Sequence, residues 1–415
     1  MISIDALGAS HLGCYGYARP TSPFLDELAS QGTRFSRAFV NTHGTTPSHA
    51  TMLTGTYQQT HRMLYDPADA ARLPEVAFPL PDSIPLISEI LQSLGYTTLS
   101  VTDGGNIGAK FGFGRGFDQF DDQGGGIESG GEKLLTMIDE KRIPDRPLFL
   151  FFHTYEVHSP YDPPESYASL FDIPGDRIVA ASETLLPYAN NARALPPEEL
   201  NRIRALYDAE IRLTDDALRH LFDELRRRGI LDEALIVVTS DHGEEFGEHN
   251  GLLHRDHLYD ELLHVPLIVA GNRIARGRSI DALVSTVDIA PSILAYLGAP
   301  IPEAMEGRPL LVKPASSGGA VFSQYGGASS SVRTSRWKLV VKHEANDVEL
   351  YDLPNDPAET LNVADMNRPV VHDLMKRIDD WKQSARDSHR RRDPVRLSDE
   401  EIRKLNALGY AGGRN

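Results

Sequence analysis

The segment Ser240-Asp241-His242-Gly243-Glu244 follows the apolar run Ala234 to Thr239. Adjacent Asp and His offer one oxygen and one nitrogen ligand, a pairing suited to zinc or another divalent ion. The run has buried-strand character, and the glycine lets the backbone turn away after it. Asp241 and His242 are therefore expected at the carboxyl end of a central strand, where open α/β sheets hold their ligands. His254 follows, with His249 and His257 close in sequence; the same pattern also describes a strand-end turn with surface histidines. Ile2-Ser3-Ile4-Asp5 repeats the arrangement, a short strand ending in an acid. Between them comes Thr45-Thr46-Pro47-Ser48-His49, running to Leu53-Thr54-Gly55. Pro47 suits the first turn of a short helix that Gly55 closes, so Thr45 stands just before a helix amino terminus, where exposed amides favour an anion. A hydroxyl there caps the helix. It is a nucleophile instead if a metal lowers its pKa and a phosphoryl or sulfuryl group sits on the same amides. Residue chemistry alone leaves both roles open.

The elements that must position these groups are legible in outline. Ser22 can cap a helix that Pro23 begins and Gly32 ends, with Leu25, Leu28 and Ala29 on one face. The apolar runs Leu86–Leu91, Thr97–Val101, Leu148–His153, Ile236–Ser240 and Val265–Ala270 alternate with helical stretches. The longest of these, Pro197 to Arg228, repeats Ile203, Tyr207, Ile211, Leu218, Leu221 and Leu225 on one face. Such alternation predicts an α/β fold, a mostly parallel sheet sandwiched by helices, over residues 1–312. Lys313 to Ala320 reads as a Pro/Ser/Gly linker. Residues 321–386 read as a small C-terminal α+β subdomain: antiparallel strands at Val321–Gln324, Ser331–Arg333, Trp337–Lys342 and Val348–Asp352, then a helix from Pro369 to about Ala385. Residues 387–415 form a charged tail with a short terminal helix. Trp337 and Trp381 fit core or domain-contact roles.

Taken in order, these segments are similar to the sulfatase family within the alkaline phosphatase superfamily. The resemblance rests on Ile4-Asp5-Ala6-Leu7 with Leu12-Gly13-Cys14-Tyr15-Gly16, on Thr45-x-Pro47-Ser48-His49 with Leu53-Thr54-Gly55, and on Gly114-Arg115-Gly116-Phe117-Asp118. It continues through His153-Thr154-Tyr155-Glu156-Val157-His158-Ser159-Pro160 and Thr239-Ser240-Asp241-His242-Gly243-Glu244 to Val287-Asp288-Ile289-Ala290-Pro291 and Trp337-Lys338-Leu339. The resemblance implies that Asp5, Asp241, His242 and Thr45 surround a divalent ion. It also implies that His158 and His254 contact the transferred group or hold a second ion, and Glu156 could join them from the same side of an extended segment.

Two departures bear on the chemistry. Usual sulfatases carry cysteine or serine, oxidised to formylglycine, at the position of Thr45, and an arginine where this chain has His49. Threonine cannot become that aldehyde, and the only cysteine, Cys14, lies in a different motif. Threonine there resembles nucleotide phosphodiesterases, phosphoethanolamine transferases and lipoteichoic acid synthases, which implies that Thr45 takes a phosphoryl group directly; Thr46 is the alternate. Ala6 beside Asp5, where many sulfatases place a second acid, leaves a calcium-type cage short of oxygens, so Zn2+ or Mn2+ is favoured over Ca2+ or Mg2+, as one ion or two. The Lys-x-His segment of many sulfatases is replaced by Asp103-Gly104-Gly105-Asn106, and Asn106 or Lys110 is a weaker candidate for substrate contact than a plain turn. Gly124–Gly130 and Pro174–Pro187 are read as specificity loops.

The expected activity is metal-dependent hydrolysis of phosphoryl esters, phosphodiesters or phosphonate monoesters foremost. The alternatives are sulfate-ester hydrolysis without formylglycine and a non-catalytic sulfatase-like binding protein. A net charge of −17 over 415 residues argues against duplex nucleic acid as a partner. A small phosphate or sulfate ester remains compatible, because a buried ion inverts the local field. No run approaches the ~18 apolar residues of a membrane span. No signal peptide is evident, which favours a cytoplasmic chain unless the start is truncated, and oligomeric state is left open.

Overall fold

In the computed structural model, the described residues are 1–63, 76–171, 182–255, 257–312, 319–384 and 395–407. Eight strands form the main sheet, in the spatial order Arg278–Ile280, Thr33–Phe35, Leu267–Gly271, Leu235–Thr239, Ile2–Ile4, Leu148–Thr154, Thr97–Val101, Gln119–Asp121. All run in one direction except Leu267–Gly271, which pairs antiparallel with both of its neighbours. Ile2–Ile4 lies in the middle, with Ile2 opposite Phe152 on one side and Val238 on the other. The carboxyl ends carrying Asp5 and Asp241 are therefore brought side by side.

Alternation along the strands feeds two cores. Leu99, Val101, Val238 and Ile268 pack against the helices Pro23–Gln31, Gly126–Lys141 and Pro197–Arg227, while Phe149, Phe151, Val237 and Val269 meet Thr45–Thr54, Ile87–Ser93 and Ile289–Leu297. The apolar run Leu86–Leu91 thus resides in a helix, not a strand. Its Ile87, Ile90 and Leu91 have helical spacing, and Glu89 accepts from Leu86 N at 2.9 Å.

Capping departs from expectation at the first long helix. Ser22 Oγ is engaged by Gly13 N and Asp26, and the first-turn amides of Phe24 and Leu25 donate instead to Asp215 at 2.7 and 2.8 Å. A carboxylate from the long helix thus caps the other helix and pins the pair together. That helix ends at Gly32, where the chain turns extended and a Cβ would stand 2.3 Å from Val269 O.

The small sheet is antiparallel, Val321–Tyr325, Ser329–Arg333, Trp337–Lys342 and Asp347–Asp352 in that order, with the helix Arg368–Gln383 packed on one face through Leu374 and Ile378. Its other face joins Phe39, Val40, Leu258 and Leu263 of the larger unit. Trp381 stacks on Phe322 at 5.0 Å and meets Tyr57 edge-on at 5.4 Å, so it is a domain contact. The linker segment 313–318, most of Pro174–Pro187 and the tail at 385–394 lie outside the described residues; beyond them Asp399–Ala407 is helical. No described helix is long and apolar enough to cross a membrane.

Candidate functional site

Three strand ends and one helix start converge. Asp5 follows Ile2–Ile4, Asp241 and His242 follow Leu235–Thr239, His153 lies at the end of Leu148–Thr154, and Thr45 opens the helix Thr45–Thr54. That helix ends, as its sequence suggests, at Gly55 in the left-handed conformation (φ 65°), although Thr45 is its first residue and not the one before. Asp5, Thr45, Asp241 and His242 are all buried.

One oxygen of each acid is used by the protein and one is not. Asp241 Oδ1 accepts from Ala6 N at 3.2 Å and His242 N at 3.0 Å, and Asp5 Oδ2 faces His153 Nε2 at 3.2 Å. Asp5 Oδ1 and Asp241 Oδ2 are buried without a hydrogen-bond partner. His242 Nδ1 donates to Gly243 O at 2.9 Å, which fixes the tautomer and leaves the Nε2 lone pair directed at the same point. That Nε2 lies 3.6 Å from Asp5 Oδ1, 3.5 Å from Asp241 Oδ2 and 3.5 Å from Thr45 Oγ1. Ligand atoms of Asp5, Asp241 and His242 all fall within 4.8 Å of one another.

Two orphaned carboxylate oxygens and an oriented imidazole nitrogen are what a divalent cation requires, and the donor set fits one. Burial, then the charge of Asp241, holds the Asp5 carboxyl well above its ordinary pKa. Burial also opposes ionisation of Asp241, but His242 and His49 outweigh it and keep Asp241 below the usual carboxylate range.

Thr46, the alternate nucleophile, turns aside to donate to Asn106 O at 2.9 Å. His158 and His254 do come together: their ring centroids are 4.9 Å apart, and His254 is 4.4 Å from His242. His158 Nδ1 donates to Ser159 O at 2.6 Å, and His254 Nδ1 donates to Glu244 Oε1 at 2.9 Å, with Tyr161 holding the other oxygen of Glu244. Burial keeps both imidazoles below their ordinary pKa, His158 at about 3.

Glu156 is not brought to them. Its Oε2 accepts from Ile127 N at 2.8 Å, at the start of the helix Gly126–Lys141, because the chain leaves the extended conformation after Thr154. That helix also takes in part of Gly124–Gly130. Lys110 pairs with Glu401 and Arg396 O.

Two supporting histidines carry no role in the sequence reading. Burial and then His49 press the His153 pKa well down, and its Nε2 braces Asp5 Oδ2. A polar residue closing the apolar run Leu148–Phe152 was the available signal. His49 turns inward: its Nδ1 donates to Thr45 O at 2.8 Å and its Nε2 accepts from Ser3 Oγ at 3.0 Å. It holds the first turn of the helix Thr45–Thr54 to the central strand.

A family model described as Sulfatase matches residues 1–299, and one described as N-sulphoglucosamine sulphohydrolase, C-terminal, matches residues 247–384. Arylsulfatase K of Bos taurus is 32% identical over 201 residues, which is 44% of this chain and 37% of that protein. Arylsulfatase K of Homo sapiens is 29% identical over 201 residues, with the same shares. The match thus spans well under half the length of these relatives. Among solved structures, a putative sulfatase from Bacteroides fragilis superposes with a TM-score of 0.77 at 19% identity, over 93% of this chain and 95% of that one. The phosphonate monoester hydrolase of Agrobacterium radiobacter gives 0.71 at 21% identity, over 96% and 99%. A protein solved with its substrate D-glucosamine-2-N,6-O-disulfate gives 0.74 at 19%, over 92% and 97%. These likenesses establish the fold.

Proposed function

The chain belongs to the sulfatase family of the alkaline phosphatase superfamily, and from that premise we propose that it is a metal-dependent hydrolase of phosphoryl esters with Thr45 as nucleophile. The observation that carries this reading is the meeting of Asp5 Oδ1, Asp241 Oδ2 and His242 Nε2 beside the Thr45 hydroxyl. Asp5, Asp241 and His242 would hold the ion, with zinc or manganese suited to the mixed donors. Such an ion supplies positive charge that lowers the pKa of a neighbouring hydroxyl and polarises an ester oxygen.

The protein's own groups do the rest. Thr45 sits at the positive end of its helix, whose dipole favours the anionic group under attack. Its hydroxyl oxygen bonds to phosphorus as the bond from phosphorus to the alcohol oxygen breaks, the alcohol leaving with the proton that Thr45 gives up. Water then cleaves the bond from Thr45 to phosphorus and restores the hydroxyl, releasing a phosphate monoester from a diester or a phosphonate from a phosphonate monoester. His158 and His254, each anchored through Nδ1, stabilise the transferring group or hold a second ion. His49 is committed to Thr45 O and Ser3, so it adds no cation for an extra anionic oxygen. That supports phosphodiesters and phosphonate monoesters over simple monoesters.

The second reading is sulfate-ester hydrolysis through the same threonine. It is favoured by the arylsulfatase relatives and by the shared tetrahedral shape of the two groups. Nitrophenyl sulfate, phosphate mono- and diester, and phosphonate substrates offered to metal-defined protein separate the readings. Turnover of phosphodiester or phosphonate above sulfate is expected. Sulfate turnover alone would overturn the first reading in favour of the second, and no turnover of any would favour a binding protein.

A further inference from the structure

The chain entering the nucleophile helix is held from outside the catalytic sheet. Asn41 Nδ2 donates to Phe322 O at 2.6 Å, Gln324 N to Asn41 O at 2.8 Å, and Ser323 Oγ to Val40 O at 2.7 Å. These bonds tie Val40–Asn41 to the edge strand Val321–Tyr325 of the small sheet. His43 follows, two positions before Thr45. Its ring stacks on Tyr325, centroids 4.5 Å apart and planes at 22°. His43 is 2% exposed, and its Nε2 is buried with no hydrogen-bond partner. A buried nitrogen left in that state destabilises the fold, so a fold that keeps it invites a reason.

Metal ligation is not that reason, since His43 stands outside the Asp5, Asp241 and His242 group. Nor does it belong to the ring cluster of His158, His242 and His254; its partner there is Tyr325. His43 lies two residues before the start of the helix Thr45–Thr54 and meets the small sheet through Tyr325, so it borders the site on the side of that sheet. A ligand atom meeting it there belongs to the alcohol part of the ester.

We propose that His43 is a substrate contact whose Nε2 hydrogen-bonds a hydroxyl on the alcohol part of the ester, with Tyr325 as the positioning residue that fixes its ring plane. The small sheet is then a wall of the site, and the preferred substrate is an ester of a hydroxyl-bearing alcohol. A site built to bond a hydroxyl discriminates strongly against an analogue lacking it, because its own polar atom is then left unpaired. This rests on the reading that Thr45 acts on an ester.

The test offers matched esters of phenol and of a hexose, each as sulfate and as methyl phosphodiester, to wild type, His43→Ala, His43→Gln, Tyr325→Phe and Tyr325→Ala. Bound metal and thermal midpoint are recorded for each protein. His43→Ala should lower kcat/KM at least tenfold for hexose esters and less than threefold for phenyl esters, with metal and midpoint near wild type. Glutamine, whose amide nitrogen reaches the place of Nε2, should restore most of the loss. Tyr325→Phe keeps the stack and should match wild type, while Tyr325→Ala should move toward His43→Ala. Equal loss on both ester classes, loss on neither, or loss that follows metal content or midpoint would overturn the proposal. Should wild type hydrolyse none of the esters, the hydrolase reading fails and equilibrium binding of the same esters decides about His43. A hexose preference that disappears in His43→Ala sustains the contact, and equal or absent binding of the two classes overturns it.

Discussion

Two acid–imidazole clusters draw on the stretch from Asp241 to Glu261, and they differ in what their oxygens do. In the first, Asp5 Oδ1 and Asp241 Oδ2 are buried and unpartnered beside His242 Nε2. In the second, Glu245, His257 and Glu261 also place ligand atoms within 4.8 Å of one another. There Glu245 accepts from His249 N at 2.7 Å, Gly251 N at 2.8 Å and His257 Nε2 at 2.6 Å. Glu261 accepts from His249 Nδ1 at 2.6 Å. Gly251 comes so close that a Cβ would stand 2.0 Å from Glu245 Oε2. Similar residue types thus serve two ends. A carboxylate whose oxygens are filled by protein donors braces a loop, and one that keeps an oxygen in reserve is prepared for a cation.

The largest effect that contrast implies is on turnover and metal content. Thr45→Ala should lower the rate by several orders of magnitude while metal stays bound, since the covalent route is lost but the other ligands remain. Asp241→Ala should lose both rate and metal. Glu245→Ala, in the second cluster, should keep its metal content. Elemental analysis beside kinetics checks all three, and loss of metal from Glu245→Ala alone would reverse the assignment of the clusters.

His254 sharpens the first cluster from within. If it holds a second ion with His158, His254→Ala should fall from two bound ions to one; if it contacts only the transferred group, stoichiometry stays constant and turnover drops. The two-ion outcome is the expected one, because imidazoles occur at both positions and their rings meet at 4.9 Å. A wild type that binds a single ion at saturating zinc contradicts it.

Stability should respond in the opposite sense to activity. Glu245 is fully buried and bonded to three donors, so Glu245→Ala should cost on the order of 3 kcal/mol, measured by denaturant unfolding. An exposed glutamate would cost almost nothing.

How much of this could be read beforehand follows from range in sequence. Asp5 and Asp241 each close an apolar run, a local pattern, and the strand ends are where that pattern puts them. That they face one another depends on Ile2–Ile4 lying between Leu148–Thr154 and Leu235–Thr239, which no local pattern encodes; the family resemblance supplied it. The helix at Thr45 was legible from Pro47 and Gly55, but the inward turn of His49 toward Ser3 was not. Ser22 and Glu156 show the same limit: a local signal for a cap, or for a shared strand face, gave way to Asp215 and to the Ile127 amide, partners distant in sequence. His43 carried no signal at all, because its significance depends on Tyr325, far along the chain.

The smallest predicted effect lies in the second cluster and concerns pH. Both ring nitrogens of His249 donate, Nδ1 to Glu261 and Nε2 to Glu359 O at 3.0 Å, and the ring stacks on Tyr259 at 3.7 Å. Burial by itself would lower its pKa, but the hydrogen bond and charge of Glu261, with the Glu359 carbonyl, outweigh it and raise the value from 6.5 to about 9. A proton held more tightly in the folded chain than in the unfolded one stabilises the fold. That contribution is complete below about 6.5, the unfolded imidazole value, and is lost as pH climbs through about 9. His249→Gln keeps a donor toward Glu261 but cannot carry the charge. The gap in thermal midpoint between wild type and His249→Gln should therefore be widest near pH 6 and should narrow toward pH 9.5. A gap that stays constant across that range would mean that His249 is neutral when folded and that the second cluster is held by hydrogen bonds alone.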